Sequence, residues 1–258
     1  ADADVIDAAY RAMVDLYKIT PQHKKHLLEK RGVKEEDFGE YFSFPEDSSE
    51  VGTKVRQWIN WKEAEKMFDT NPYSLDAERL ERLMANPFVK KVKEQLRYVP
   101  GFYLNKQTDK IECVHKQGIG LLAVGPDGLA KGVQVQNLDP NRKGAKYVWW
   151  SSSSKIGEVG FEGGASPGSP GGVIFPKNNC DNNYMETAPI VITEGKYKAE
   201  ALAYQGNIAI YVSGVGTWTN IIPMIEKIRG NREQIYVAFD ADVMGKISVF
   251  KHLKAICK

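Results

Sequence analysis

From Pro189 to the chain end, continuous apolar runs alternate with helix-patterned segments, and acidic residues close two of the runs. PIVITEG reads as a buried strand and KYKAEALAYQG as a helix closed by Gly206. IAIYVSG reads as a second strand, Thr219–Arg229 as a helix closed by Gly230, QIYVAFDAD as a third strand, and VMGKISVFKHLKAICK as a third helix. Strands apolar on both faces and separated by short helices predict a parallel sheet with helices packed on it, an α/β arrangement.

The acids fall at informative places. Glu194 follows Ile190–Thr193, and Asp240 and Asp242 follow Ile235–Phe239. All three carboxylates are therefore expected at the carboxyl ends of neighbouring parallel strands, the edge where open α/β sheets bind ligands. On extended chain, the i, i+2 spacing of Asp240 and Asp242 turns both to one side. Carboxylates so placed repel one another unless a cation neutralises them, and hard oxygen donors select Mg²⁺ or Mn²⁺. Alone, a DxD or a Glu-Gly after a strand is as readily a turn; the order of the two, with strands and helices between them, gives the pattern its specificity.

This arrangement resembles the TOPRIM domain of bacterial primases, topoisomerases and some nucleases. The resemblance covers about residues 188–258 and rests on ITEGKYKAEAL, YVSGVGTW and AFDADVMG. It implies that Glu194, Asp240 and Asp242 hold divalent metal for phosphoryl transfer. Lys196 and Lys198 make the Glu motif look like the variant found in primases of phages, plasmids and other mobile genetic elements. The pattern departs from the primase form in two respects. Val243, Met244 and Gly245 follow the Asp pair, so a third Asp is missing, and the family's fourth strand does not follow the last helix. A truncated TOPRIM domain is the expectation.

Upstream, from Tyr98, the pattern changes to period two: VPGFYLNK, KIECVHK, IGLLAV, GLAKGVQVQNL and AKYVWWSS alternate apolar with polar residues, with turns expected at Asn105–Lys110 and Gly125–Gly128. A small, mainly antiparallel β region follows from this, and the Gly-, Pro- and Ser-rich residues 157–172 read as loop. The segment DGLAKGVQVQNLDPNRKGAKYVWWSSSS resembles the stretch just before TOPRIM in DnaG-type primases, matched at Asp127, Gly128, Gly132, Lys146, Tyr147 and Ser151. HLLEKRGVKEEDFGEYF resembles a primase helix ending in Arg-Gly, here Arg31 and Gly32. The usual Arg after the middle strand is replaced by Gln136 and Asn137.

These resemblances imply nucleotide or template contacts for Arg31, Lys146 and Tyr147. Arg142, Lys143 and Lys146 form a local basic cluster, and Tyr147, Trp149 and Trp150 offer stacking faces. A solvated basic loop beside a core Trp is the competing reading. Adjacent strand residues face opposite ways, so one of Trp149 and Trp150 is expected in the core. Lys196 and Lys198 read either as phosphate ligands or as an ordinary helical first turn. Gly214 and Gly216 bracket a strand-to-helix turn whose N–H groups suit a phosphate, though turn geometry explains them as readily.

The first 97 residues read as a mainly helical region. Residues 3–18 have helical spacing. A second helix starts at Thr20-Pro21 and ends at Gly32. A third covers 34–42, a fourth contains Trp58 and Trp61, and residues 76–97 form a helical stretch broken at Asn86-Pro87. Three regions result: 1–97 helical, 98–187 β-rich and basic, and 188–258 TOPRIM.

Net charge is only +2 over 258 residues, so nucleic-acid binding would need a local basic face rather than a global field. Cys113, Cys180 and Cys257 include no CxxC pair, which argues against a zinc ribbon in this chain and fits a reducing cytoplasm. No apolar stretch has the length to cross a bilayer. His23, His26, His115 and His252 are scattered and read as surface or satisfied histidines.

The resemblance implies a primase catalytic core that makes short RNA primers on a single-stranded DNA template from ribonucleoside triphosphates, with Mg²⁺ or Mn²⁺ as cofactor and a replicative helicase as a further partner. A TOPRIM nuclease and a non-catalytic single-strand-binding module are the alternatives.

Overall fold

The computed structural model describes residues 1–69, 75–141, 143–177, 182–240 and 246–257. The chain forms two compact units, each discontinuous in sequence. The first comprises Ala1–His23, Phe38–Leu122 and Gly132–Pro167; the second comprises Lys24–Asp37, Ala123–Lys131 and Gly168–Lys258.

In the first unit, α1 (Ala3–Leu16) packs on α3 (Val51–Phe68). Val5, Ala9, Tyr10 and Met13 of α1 and Val55 of α3 are fully buried. The N-terminal helices thus belong to a core. The second helix, α2 (Pro21–Arg31), begins in this unit, and Thr20 Oγ1 accepts the His23 N–H as its cap. Asp76 and Asn86 cap α4 (Ala77–Ala85) and α5 (Pro87–Gln95) in the same way, accepting from Arg79 and from Phe88 and Val89; Asn86-Pro87 is the expected break.

The third helix expected at 34–42 is corrected. Glu35–Glu40 is a 3-10 helix, and Tyr41–Ser43 is a strand, β1. The apolar Tyr41 and Phe42 find a partner far along the chain, which no local pattern signals. β1 pairs antiparallel with β4 (Ile119–Val124), and the sheet continues through β5 (Ala130–Gln136) to β6 (Tyr147–Trp149). A second sheet joins β2 (Phe102–Asn105) to β3 (Lys110–Cys113) and to β7 (Phe161–Glu162). The loop expected over 157–172 therefore contains a short strand. Trp150 fills the middle of this unit: it is fully buried, its ring lies against Phe44, Phe102, Phe42 and Tyr10, and its Nε1–H donates to Val114 O at 2.8 Å.

The second unit carries a four-stranded sheet in the order β11-β9-β10-β8, built from β8 (Gly172–Ile174), β9 (Ile190–Glu194), β10 (Ile208–Val212) and β11 (Ile235–Ala238). β9, β10 and β11 run parallel, as expected from their apolar runs. The expectation of a parallel sheet is corrected at its edge: β8 is antiparallel to β10, so the sheet is mixed. Its glycine, in a Gly-rich stretch, hid this strand. A Cβ on Gly172 would come within 2.4 Å of the Tyr211 ring, so close approach to β10 demands glycine where composition reads as loop. α7 (Lys196–Tyr204) packs on β9 and β10 through Ala199 and Ala203. α6 (Asn182–Thr187), α8 (Ile222–Arg229) and α9 (Ile247–Ile256) complete the unit. The helix expected from Thr219 is split, with a 3-10 turn over Val215–Ile221 before α8 starts at Ile222 and Pro223.

Candidate site at the carboxyl edge of the parallel strands

The parallel register sets the site. Glu194 is the last residue of β9 and stands opposite Val212 of β10. On the other side, Thr193 stands opposite Ala238, the last residue of β11, and Asp240 lies two residues further on. Glu194 and Asp240 are thus brought to the carboxyl edge of adjacent parallel strands, as read from the sequence. Asp242 lies outside the described residues, and so does Arg142.

Three contacts organise this edge. Thr193 Oγ1 donates to Ala238 O at 2.8 Å, joining β9 and β11 one rung below the acids. The Gly195 N–H donates to Val212 O at 2.8 Å, which ties the turn after Glu194 to β10. Lys198, in the first turn of α7, places Nζ 2.5 Å from Asp240 Oδ1, with side chains 43% and 56% exposed. Neither Thr193 nor the Lys198–Asp240 pair was foreseen. A polar Thr closing the apolar run Ile190–Thr193 is the sequence signal that marks Thr193.

The two lysines of the Glu motif differ sharply. Lys196 is 2% exposed, and Glu200, one turn further on the same helix, is 4% exposed. Lys196 is therefore no solvated first-turn residue. Arg31 lies over the Tyr197 ring of α7, with Cζ 5.1 Å from its centroid. The same helix ends at Tyr204, whose hydroxyl lies 2.7 Å from both Glu36 Oε1 and Asp37 Oδ2, while Lys34 sits 3.5 Å above its ring. Burial and these two acids push the Tyr204 hydroxyl pKa upward. Asp37 is also ion-paired to Lys177.

Gly214 and Gly216 follow β10. The Gly214 carbonyl accepts from the Thr217 N–H at 2.9 Å and from Thr217 Oγ1 at 2.8 Å, and Gly216 lies inside the 3-10 turn. The expected strand-to-helix turn is thus present, with its first carbonyl already engaged. In the first unit, Lys146 and Tyr147 lead into β6, both partly exposed, with Lys146 Nζ 5.7 Å from the Tyr147 ring centroid. The Asn137 N–H bonds to Lys146 O at 2.9 Å.

Among the described residues no group of three His, Cys, Asp or Glu side chains is clustered for a metal. Glu194 and Asp240 nevertheless fit a hard divalent cation by donor chemistry, as carboxylates on adjoining strand ends. The cationic partner that Asp240 already holds shows that this carboxylate is placed to take positive charge.

Residues 182–258 match the family described as Domain of unknown function (DUF3854). No curated protein matches the chain. Among solved structures, the RNA polymerase domain of Mycobacterium tuberculosis primase DnaG aligns with 98% of this chain and 72% of its own length, at 13% identity and a TM-score of 0.54. The Aquifex aeolicus primase fragment with zinc binding and RNA polymerase domains aligns with 99% of this chain, at 11% identity and a TM-score of 0.53. The chain spans about half the length of that Aquifex structure, 52%. The fold is a mixed α/β fold of the primase catalytic-core type. At these identities the likeness is one of fold, and function must be argued from the site.

Proposed function

We propose that this chain is a primase catalytic core of TOPRIM type, which makes short RNA primers on single-stranded DNA. The reading is carried by one observation: Glu194 and Asp240 both lie at the carboxyl edge of adjacent parallel strands, on a fold shared with primase RNA polymerase domains. Residues 188–258 would form the metal-binding domain, with Glu194, Asp240 and Asp242 holding Mg²⁺ or Mn²⁺. A divalent ion there supplies charge neutralisation for the transferred phosphoryl group.

The remaining roles fall to the chain's own groups. Lys198, partly exposed beside Asp240, would meet the triphosphate, whereas buried Lys196 would act by holding the start of α7. Lys146 and Tyr147 would contribute a phosphate contact and a stacking face for the template. Arg31, stacked on Tyr197, would brace α7.

The test is incubation with single-stranded DNA, Mg²⁺ or Mn²⁺ and labelled ribonucleotides. Extended RNA products are expected from the wild type, reduced by more than about 100-fold in Glu194→Gln and Asp240→Asn. Shortened DNA in place of RNA would make the chain a nuclease. DNA binding with neither product, unchanged by EDTA, would leave a binding module and overturn the proposal.

A further inference from the structure

Lys198 occupies an oxygen that the proposed divalent ion would need. Lys198 Nζ lies 2.5 Å from Asp240 Oδ1. An ammonium and a divalent cation cannot share that oxygen at contact distance without strong like-charge repulsion. We infer that Lys198 is an exchangeable counter-cation: it neutralises Asp240 while no metal is bound, and is released toward a metal-held phosphate chain when a divalent ion takes its place. The inference rests on the proposed metal-binding role of Asp240.

Three features of the site support the exchange. The pair is exposed, 43% and 56%, so water solvates both groups once they part and the lysine competes only weakly. Lys198 stands on the first turn of α7, in the chain that follows Glu194, so its long stem starts at the same sheet edge as the acids. The neighbouring Lys196, at 2% exposure, is packed in place and has no comparable freedom to move. One lysine therefore anchors the helix and the other is free to change partner. Its transfer would couple metal binding to phosphate binding, because an ion at Asp240 frees the ammonium that a triphosphate then engages.

Manganese titrations followed by the electron paramagnetic resonance signal of free Mn²⁺ test this without reference to activity. Lys198→Met keeps most of the stem and removes the charge; Lys198→Arg keeps the charge. An exposed ion pair competes by a factor of about five at most. Lys198→Met is therefore expected to bind Mn²⁺ about three- to fivefold more tightly, and tripolyphosphate in saturating Mn²⁺ by a similar factor more weakly. Lys198→Arg should stay within about twofold of wild type in both. Mn²⁺ affinity unchanged or weakened in Lys198→Met overturns the exchange. Tighter Mn²⁺ without weaker tripolyphosphate overturns the release toward phosphate. An Arg variant that behaves like Met overturns the charge argument. Failure of the wild type itself to bind Mn²⁺ would instead sink the metal-binding reading beneath it, so the two failures are distinguishable.

Discussion

Thr193 Oγ1 donates a hydrogen bond to the carbonyl oxygen of Ala238 over 2.8 Å, and so locks two strand ends together directly below Glu194 and Asp240. Thr193 is only 1% exposed, which makes the bond a buried one. The carbonyl it satisfies belongs to the last residue of an edge strand. Thr193→Val keeps the shape and deletes the donor. We expect a stability loss of about 1 kcal/mol in urea denaturation. Mn²⁺ affinity should fall about tenfold, because the carboxylate spacing is no longer held. A variant that loses stability but binds Mn²⁺ like the wild type would show that the strand ends hold their spacing without this bond.

The core of the first unit depends on an equally specific pair. Gly101 has φ +97, and a Cβ there would lie 2.4 Å from the Trp150 ring. Gly101→Ala combines a left-handed backbone with overpacking, each costing about 1–3 kcal/mol. The combined loss should be visible as a large drop in Tm. Trp150→Phe shrinks the opposing ring and abandons the Nε1 bond to Val114. The double variant should lose less than the two single variants added together, by at least about 1 kcal/mol. Strict additivity would mean that the strain at Gly101 lies in its backbone alone.

His23 gives stability a dependence on pH. Burial holds its imidazole below the usual 6.5, and Nδ1 lies 2.8 Å from Ser43 Oγ. The unfolded chain therefore takes up this proton at a higher pH than the folded chain. The stabilisation is complete above about 6.5 and is lost as pH falls from there through the native value. His23→Gln should flatten that acid limb of the Tm profile while leaving the region above pH 7 parallel to wild type. An unchanged acid limb would assign the slope to other groups.

Much of this was readable from residue order, for identifiable reasons. β9 and β10 are buried enough to appear as unbroken apolar runs, the edge strand β11 keeps an apolar run although Tyr236 is half exposed, and the helical crossovers between the strands fix parallel direction. That combination places Glu194 and Asp240 at strand ends from residue order alone. Alternation along a strand correctly divided Trp149 from Trp150, and the latter is the core residue. The failures involve partners distant in sequence. β1 needs β4, and β8 needs Tyr211 to explain its Gly172. Lys198 meets Asp240 only because β11 lies beside β9. First-turn lysines look alike in sequence, yet Lys196 is buried and Lys198 is not, because packing of α7 on the sheet decides which side each takes.

The template role proposed for the β6 entrance can be separated from the metal chemistry. Lys146 is partly exposed and lies 5.7 Å from the Tyr147 ring centroid, a cation next to a stacking surface. If its ammonium contacts a phosphate, Lys146→Ala should weaken single-stranded DNA binding about equally for all sequences. It should also reduce the slope of log affinity against log salt by about 0.7, the value for one released counterion on a single strand. Tyr147→Leu removes stacking without charge, so it should cost about 1–3 kcal/mol of binding and leave the salt slope unchanged. Fluorescence anisotropy with a labelled oligonucleotide over a range of salt concentrations measures both. Slopes that match the wild type in Lys146→Ala would exclude a phosphate contact at this position, whatever the fate of the carboxylate site.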